Sequence, residues 1–197
     1  MITQQHSESA AARPRWLPRP GMTRKIIYIA TVAIVAAAAA LIVSLAGGQA
    51  SKAAAPPPQA RNFSLAQLGR PSVAVTLAAY AGKPVIVNFF ASWCTPCQHE
   101  TPMLARFYLS MHGRVTVLGI DSNDQRAAAL RFLAKTGVRY PVGFDPYPSA
   151  TTTSYGVYAL PQTFFLNAQH HIVSHILGPL TMHDLARGVA LMDKNRG

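Results

Sequence analysis

The segment VIVNFFASWCTPC, residues 85–97, constrains the fold more than any other part of the chain. A β-branched and aromatic run of strand length ends at Phe90, and the only two cysteines, Cys94 and Cys97, follow at once with Pro96 between them. Beyond them Leu104, Phe107, Tyr108 and Met111 fall at i, i+3, i+4 and i+7, the spacing of one helical face. The two thiols therefore lie at a strand-to-helix junction. Pro96 suits the first turn of that helix, where its missing N–H costs little.

A second strand is expected in RVTVLGI (114–120), followed by DSND (121–124) as N-cap candidates for a helix carrying Ala127, Leu130 and Ala134. Strand, helix, strand, helix indicates a parallel βαβ unit. QTFFLN (162–167) and HIVSHIL (171–177) read as two strands around a short turn. TMHD, from Thr181, resembles a capping box opening a last helix with Leu185, Val189 and Met192 inward. The pattern predicts an α/β fold, a central mixed β-sheet flanked by helices. With 197 residues and 50% hydrophobic content, one ordinary domain with extensions is affordable.

The extensions are N-terminal. Residues 1–25 carry Arg13, Arg15, Arg19, Arg24 and Lys25 against Glu8 and are read as a cytoplasmic basic segment. Residues 26–46, IIYIATVAIVAAAAALIVSLA, hold no charge. As a helix they would measure about 30 Å, the thickness of a bilayer core, and so are read as one N-terminal transmembrane signal anchor. A cleaved signal peptide is the rival, with small residues around Gly48-Gln49-Ala50; the long apolar run and long basic lead favour the anchor. Positive charge before the span places the N-terminus in the cytoplasm and the rest outside. Residues 47–60, with three consecutive prolines, read as a tether, and residues 61–197 as the folded domain. The formal net charge of +11 comes without a tight Lys/Arg cluster or a nucleic-acid-binding motif in that domain, so no nucleic-acid partner is expected.

The chemistry rests on Cys94 and Cys97. A sulfur at a helix N-terminus meets unpaired N–H groups and the positive end of the helix dipole, which favour thiolate over thiol. Cys97, about one turn deeper, should be more buried and less reactive. Thiol–disulfide exchange through a mixed disulfide needs one attacking and one resolving sulfur in this way. Other readings of the pair stay open. A structural zinc needs four ligands, and His99 alone does not complete the set, so no metal is expected. Haem attachment needs His after the second cysteine, where Gln98 stands. A purely structural disulfide would close a loop too small to constrain the unfolded chain much.

NFFASWCTPCQHETP resembles the active-site segment of the thioredoxin superfamily, and specifically the TlpA/ResA/DsbE-type membrane-anchored thiol–disulfide oxidoreductases. GKPVIVNFFASWC, GVRYPVGFDP and YGVYALPQTFFLN stand in that family's order, so the likeness covers roughly residues 62–195. It implies a thioredoxin fold. It also implies that Trp93 packs beside the sulfurs and that Pro102 kinks the active-site helix. Pro161 would be the cis proline opposite the disulfide, where the backbone at Leu160 pairs with a substrate chain. The strand position occupied by a buried aspartate in ordinary thioredoxins is Asn88 here, which cannot titrate. Glu100, three residues after Cys97, matches a functional glutamate of ResA-like members and is the proton-transfer candidate; its plainer role is a first-turn acid. Ala159 stands where the family often has Gly, which leaves the groove's shape open. His99 reads as a solvated helix residue.

The family likeness implies a membrane-tethered extracytoplasmic enzyme that reduces specific protein disulfides, those of cytochrome c maturation or copper delivery. Its electrons would come from a membrane donor such as a DsbD/CcdA-type reductant. It implies no cofactor beyond the redox-active Cys94–Cys97 pair. An oxidant that introduces disulfides into secreted proteins, and a non-catalytic copper-binding module, are the alternatives.

Overall fold

The computed structural model describes residues 22–46 and 57–194, and the chain divides into two units, Met1–Ala54 and Ala55–Gly197. In the first, helix α1 runs over Met22–Ala46 and includes the apolar segment. Its side chains are described only at 25 and 27–38, and among the described residues no helix is long and apolar enough to cross a membrane. The expected anchor at 26–46 thus lies partly outside the described residues, as do the basic segment up to residue 21 and the tether from 47 to 56.

The second unit is built on seven strands in the order β2-β1-β5-β4-β3-β6-β7. They are β1 (Ser64–Gln67), β2 (Arg70–Thr76), β3 (Val85–Phe90), β4 (Thr116–Ser122), β5 (Val142–Asp145), β6 (Gln162–Leu166) and β7 (Ile172–Leu177). Strands β3, β4 and β5 are parallel, and the outer strands add antiparallel on both sides, so the sheet is mixed. All six residues of β3 are buried, as expected of a central strand covered on both faces.

Helices α2 (Thr95–Ser110), α3 (Arg126–Thr136) and α5 (Met182–Lys194) supply one core with Ile86, Phe90, Val117 and Phe165 of the sheet. Gly188 of α5 lets that helix approach closely: a Cβ there would stand 2.2 Å from the Phe165 ring. The opposite face packs Phe89, Phe164 and Tyr155, with ring centroids 5.2–5.7 Å apart, beneath the 3-10 turn Leu77–Tyr80 and Phe63. The five-residue α4 (Ala150–Ser154) is capped by Asp145, whose carboxylate accepts from the backbone N–H of Thr151 and Thr152.

Three expectations are corrected. The tether expected over 47–60 does not hold at residues 58–60, where Ile172 N–H donates to the Pro58 carbonyl at 2.8 Å and Ala60 N–H to that of His170 at 2.9 Å. The folded domain therefore starts by residue 58. The β4 strand extends through Asp121 and Ser122, so DSND does not cap α3; Gln125 is its N-cap and makes no side-chain cap bond. In α3 the inward residues are Ala129 and Phe132, while Ala127, Leu130 and Ala134 are exposed. The capping box of α5 forms as read: Thr181 Oγ1 donates to Asp184 Oδ2 at 2.6 Å, and Asp184 N–H donates back to Thr181 Oγ1 at 3.2 Å.

Candidate active site

Cys94 is the N-cap of α2, with Pro96 in the first turn, and its Sγ accepts the Cys97 N–H at 3.3 Å. A sulfur in this position lies against orphan helix N–H groups, the environment that stabilises a thiolate once the disulfide opens. The two sulfurs are bonded to each other here. Cys94 keeps 4% of its surface and Cys97 none, so the sulfur open to attack is that of Cys94.

The turn before Cys94 is clamped by the loop after β4. Asp124 accepts from Ser92 N–H at 2.5 Å and from Ser92 Oγ at 3.0 Å. The Trp93 indole N–H donates to the Asn123 carbonyl at 3.1 Å, and Gln98 Nε2 donates to the Ser92 carbonyl at 2.7 Å. Trp93 itself is 59% exposed, so it lies outside the core, in the turn immediately before Cys94. His99 is exposed on α2, and Pro102 lies inside that helix.

Glu100 is buried one turn after Cys97. Its Oε1 accepts from Asn88 Nδ2 at 2.9 Å and its Oε2 from Leu180 N–H at 2.6 Å. Burial pushes its carboxyl up from the ordinary range, against the opposing pull of the Leu180 and Asn88 bonds. This is more than a helix-start acid would show. Asn88 also donates to Thr163 Oγ1 at 2.9 Å, while its own Oδ1 has no partner. Tyr140 is buried with its hydroxyl unpartnered; burial, with Glu100's charge second, raises that phenol.

The Leu160–Pro161 peptide is cis, and Gly178 N–H donates to the Pro161 carbonyl at 2.9 Å. Leu160 and Ala159 share a cleft of about 280 Å³ with Trp93, Asn123, Tyr147 and Tyr158. This cleft brings together Trp93 and Leu160, two of the three residues expected to bind substrate; the third, Pro161, does not line it. Tyr147 and Tyr158 stand at its rim, both more than 80% exposed, and sequence reading missed them. Ala159 is tolerated because its side chain borders open cleft. Among the described residues no three His, Cys, Asp or Glu side chains converge on a metal-sized site.

A helix-capping disulfide beside a cis-proline loop, on a mixed sheet with helices on its faces, defines a thioredoxin-fold disulfide protein. The chain belongs to the redoxin family, which it matches over residues 52–189. It is 40% identical over 126 residues to the thiol:disulfide interchange protein CycY of Rhizobium leguminosarum bv. viciae, covering 63% of this chain and 66% of that one. With the thiol:disulfide interchange protein DsbE of Xylella fastidiosa it shares 35% identity over 121 residues, 61% of this chain and 60% of the other. A solved thioredoxin-family thiol:disulfide interchange protein from Chlorobium tepidum TLS superposes with a TM-score of 0.62 at 28% identity, covering 74% of this chain and all of that one. The chain thus spans 66% and 60% of the length of these two curated relatives, less than two thirds of each.

Proposed function

We propose that this chain is a thiol–disulfide oxidoreductase, tethered to the cell membrane by residues 26–46 with its domain on the extracytoplasmic side, that reduces disulfides in specific protein substrates. The observation that carries the chemistry is the unequal pair at the head of α2: Cys94 caps the helix and keeps a sliver of exposed surface, while Cys97 is fully enclosed. The similarity to thiol:disulfide interchange proteins supports the same reading.

In the reduced protein the Cys94 thiolate attacks one sulfur of a substrate disulfide. That S–S bond breaks, and the departing substrate sulfur takes up a proton. Cys97 then loses its proton to Glu100, attacks Cys94 Sγ and closes the Cys94–Cys97 bond, releasing the second substrate sulfur, which is protonated in turn. Two electrons pass from the dithiol to the substrate, and a membrane donor of the DsbD/CcdA type resets the pair. A buried carboxylate with a raised proton affinity is better matched to accept from a thiol than an exposed one. The cleft between Trp93 and Leu160 would hold the substrate segment, with cytochrome c maturation or copper-delivery proteins as the substrate class.

The test is a redox titration of the full chain in glutathione and dithiothreitol buffers, paired with reduction of an oxidised Cys-x-x-Cys-His peptide. A midpoint more reducing than the substrate's, with net reduction of the peptide, supports this direction; net oxidation of a reduced substrate reverses it. A reporter fused after residue 60 should be active only outside the cytoplasm, with the chain retained in washed membranes. A shortened soluble form would show cleavage instead.

A further inference from the structure

Asp121 is the one carboxyl of the described domain that is fully enclosed and without a donor. It sits at the C-terminal end of β4 with no exposed surface, and neither oxygen receives a hydrogen bond. Its register neighbours are Phe90 on β3 and Phe144 on β5, neither of which titrates. The charged groups that face it are Asp124, within hydrogen-bonding reach, and Arg126 at the start of α3, which stacks 4.1 Å over the Phe144 ring. A buried carboxylate with no donor, next to a second carboxylate, is among the costliest arrangements a core can hold. A neutral acid there removes the like charge and gains an acceptor.

We propose that Asp121 is a positioning residue for the reactive turn: as the neutral acid it donates its proton to Asp124, orienting the carboxylate that holds Ser92 and hence Cys94. Asp124 already accepts from Ser92 N–H, Ser92 Oγ and Gln125 N–H, and a carboxylate has room for a fourth donor. Trp93, between Ser92 and Cys94, binds the Asn123 carbonyl of the same loop, so a change in the Asp124 grip is felt at both ends of the turn. Ionisation of Asp121 sets two negative charges together with only Arg126 to offset them, and the clamp loosens. Burial first, then the charge of Asp124 and the bond to it, push the Asp121 carboxyl up to about 8, with Arg126 opposing; the clamp therefore lets go on the alkaline side of neutrality.

This inference rests on the dithiol chemistry proposed above, but its test does not need a substrate. The full chain, oxidised so that neither thiol titrates, carries two tryptophans, and Trp16→Phe leaves Trp93 as the reporter. Trp93 emission should titrate with an inflection near pH 8, and Asp121→Asn, whose amide donates to Asp124 at every pH, should be flat from about pH 6 to 10 and match the low-pH parent. A flat parent, or the same inflection in the variant, overturns the proposal. Should Asp121→Asn not fold, the ¹³Cγ resonance of Asp121 in the parent decides. It must keep its protonated position at pH 7 and move together with the Trp93 signal. A carboxyl already ionised at pH 6 refutes the assignment.

Discussion

The two ends of the disulfide are backed by different acids put to different uses. Ahead of Cys94 the chain is a turn, and the carboxylate of Asp124 spends its bonds on the backbone and hydroxyl of Ser92. Behind Cys97 the chain is helix, already satisfied by its own ladder, and Glu100 is turned inward to Asn88 and the Leu180 N–H. One acid holds the turn; the other, raised by burial and bonded to Asn88 and Leu180, is the one we propose exchanges a proton with the sulfur one turn away. An enzyme that needs one sulfur exposed and one protected can thus separate positioning from proton transfer along a single helix start.

The comparison is broken most directly at the sulfurs. Cys94→Ser should reduce exchange to the uncatalysed rate and capture no partner. Cys97→Ser should lose turnover but accumulate mixed disulfides through Cys94, seen on non-reducing gels. Capture by both variants alike would remove the division of labour.

Glu100→Gln should come next, slowing resolution by roughly 100-fold, at the low end of what a positioned acid–base group contributes. The parent rate should fall as pH drops through the raised carboxyl value, because the base is then protonated, and the variant should lack that limb. The fold should survive, since rotation of the Asn88 amide would turn its unpartnered Oδ1 to the new donor. An unchanged pH profile in stopped-flow exchange would return Glu100 to a packing role.

The buried acids also bear on stability. Asp121 binds its proton more tightly folded than unfolded, with its folded value near 8. Its contribution is full below the ordinary carboxyl value near 4 and is lost as pH rises towards 8, at no more than about 1.4 kcal/mol per pH unit. Glu100 acts in the same direction from its own ordinary value upward. Urea midpoints should therefore fall between pH 5 and pH 8 in the parent, and fall less in Asp121→Asn. Equal falls in both would place the titration elsewhere.

Tyr140→Phe should do least. Its hydroxyl is buried and unpartnered, so removal should change stability by less than about 1 kcal/mol, or raise it. A loss above about 2 kcal/mol on chemical denaturation would mean the hydroxyl has a partner in solution.

Much of this was legible in the residues. The β3–α2 junction, β6, β7 and α5 carry clear periods and a capping box, and the placing of both cysteines follows from them; Glu100 is singled out by its position after Cys97 and by the family resemblance. The edge was not legible: the first five residues of β2 are exposed, so no alternation marks it, and α4 exists through the Asp145 cap more than through any periodicity. In DSND the polar residues look like a cap, yet the first two finish a buried strand. Only the parallel register with Phe90 and Phe144 reveals that Asp121 points into the core. The partner of Glu100 at Leu180 lies 80 residues away and is a backbone N–H, which leaves no mark in side-chain identity.

The central claim is that Cys94 attacks and Cys97 resolves. It is tested by treating the reduced full chain with limiting iodoacetamide at pH 7 and locating the label by peptide mass spectrometry. The account predicts a single label on Cys94, with Cys97 modified only after unfolding; equal labelling of the two, or Cys97 reacting first, would contradict it.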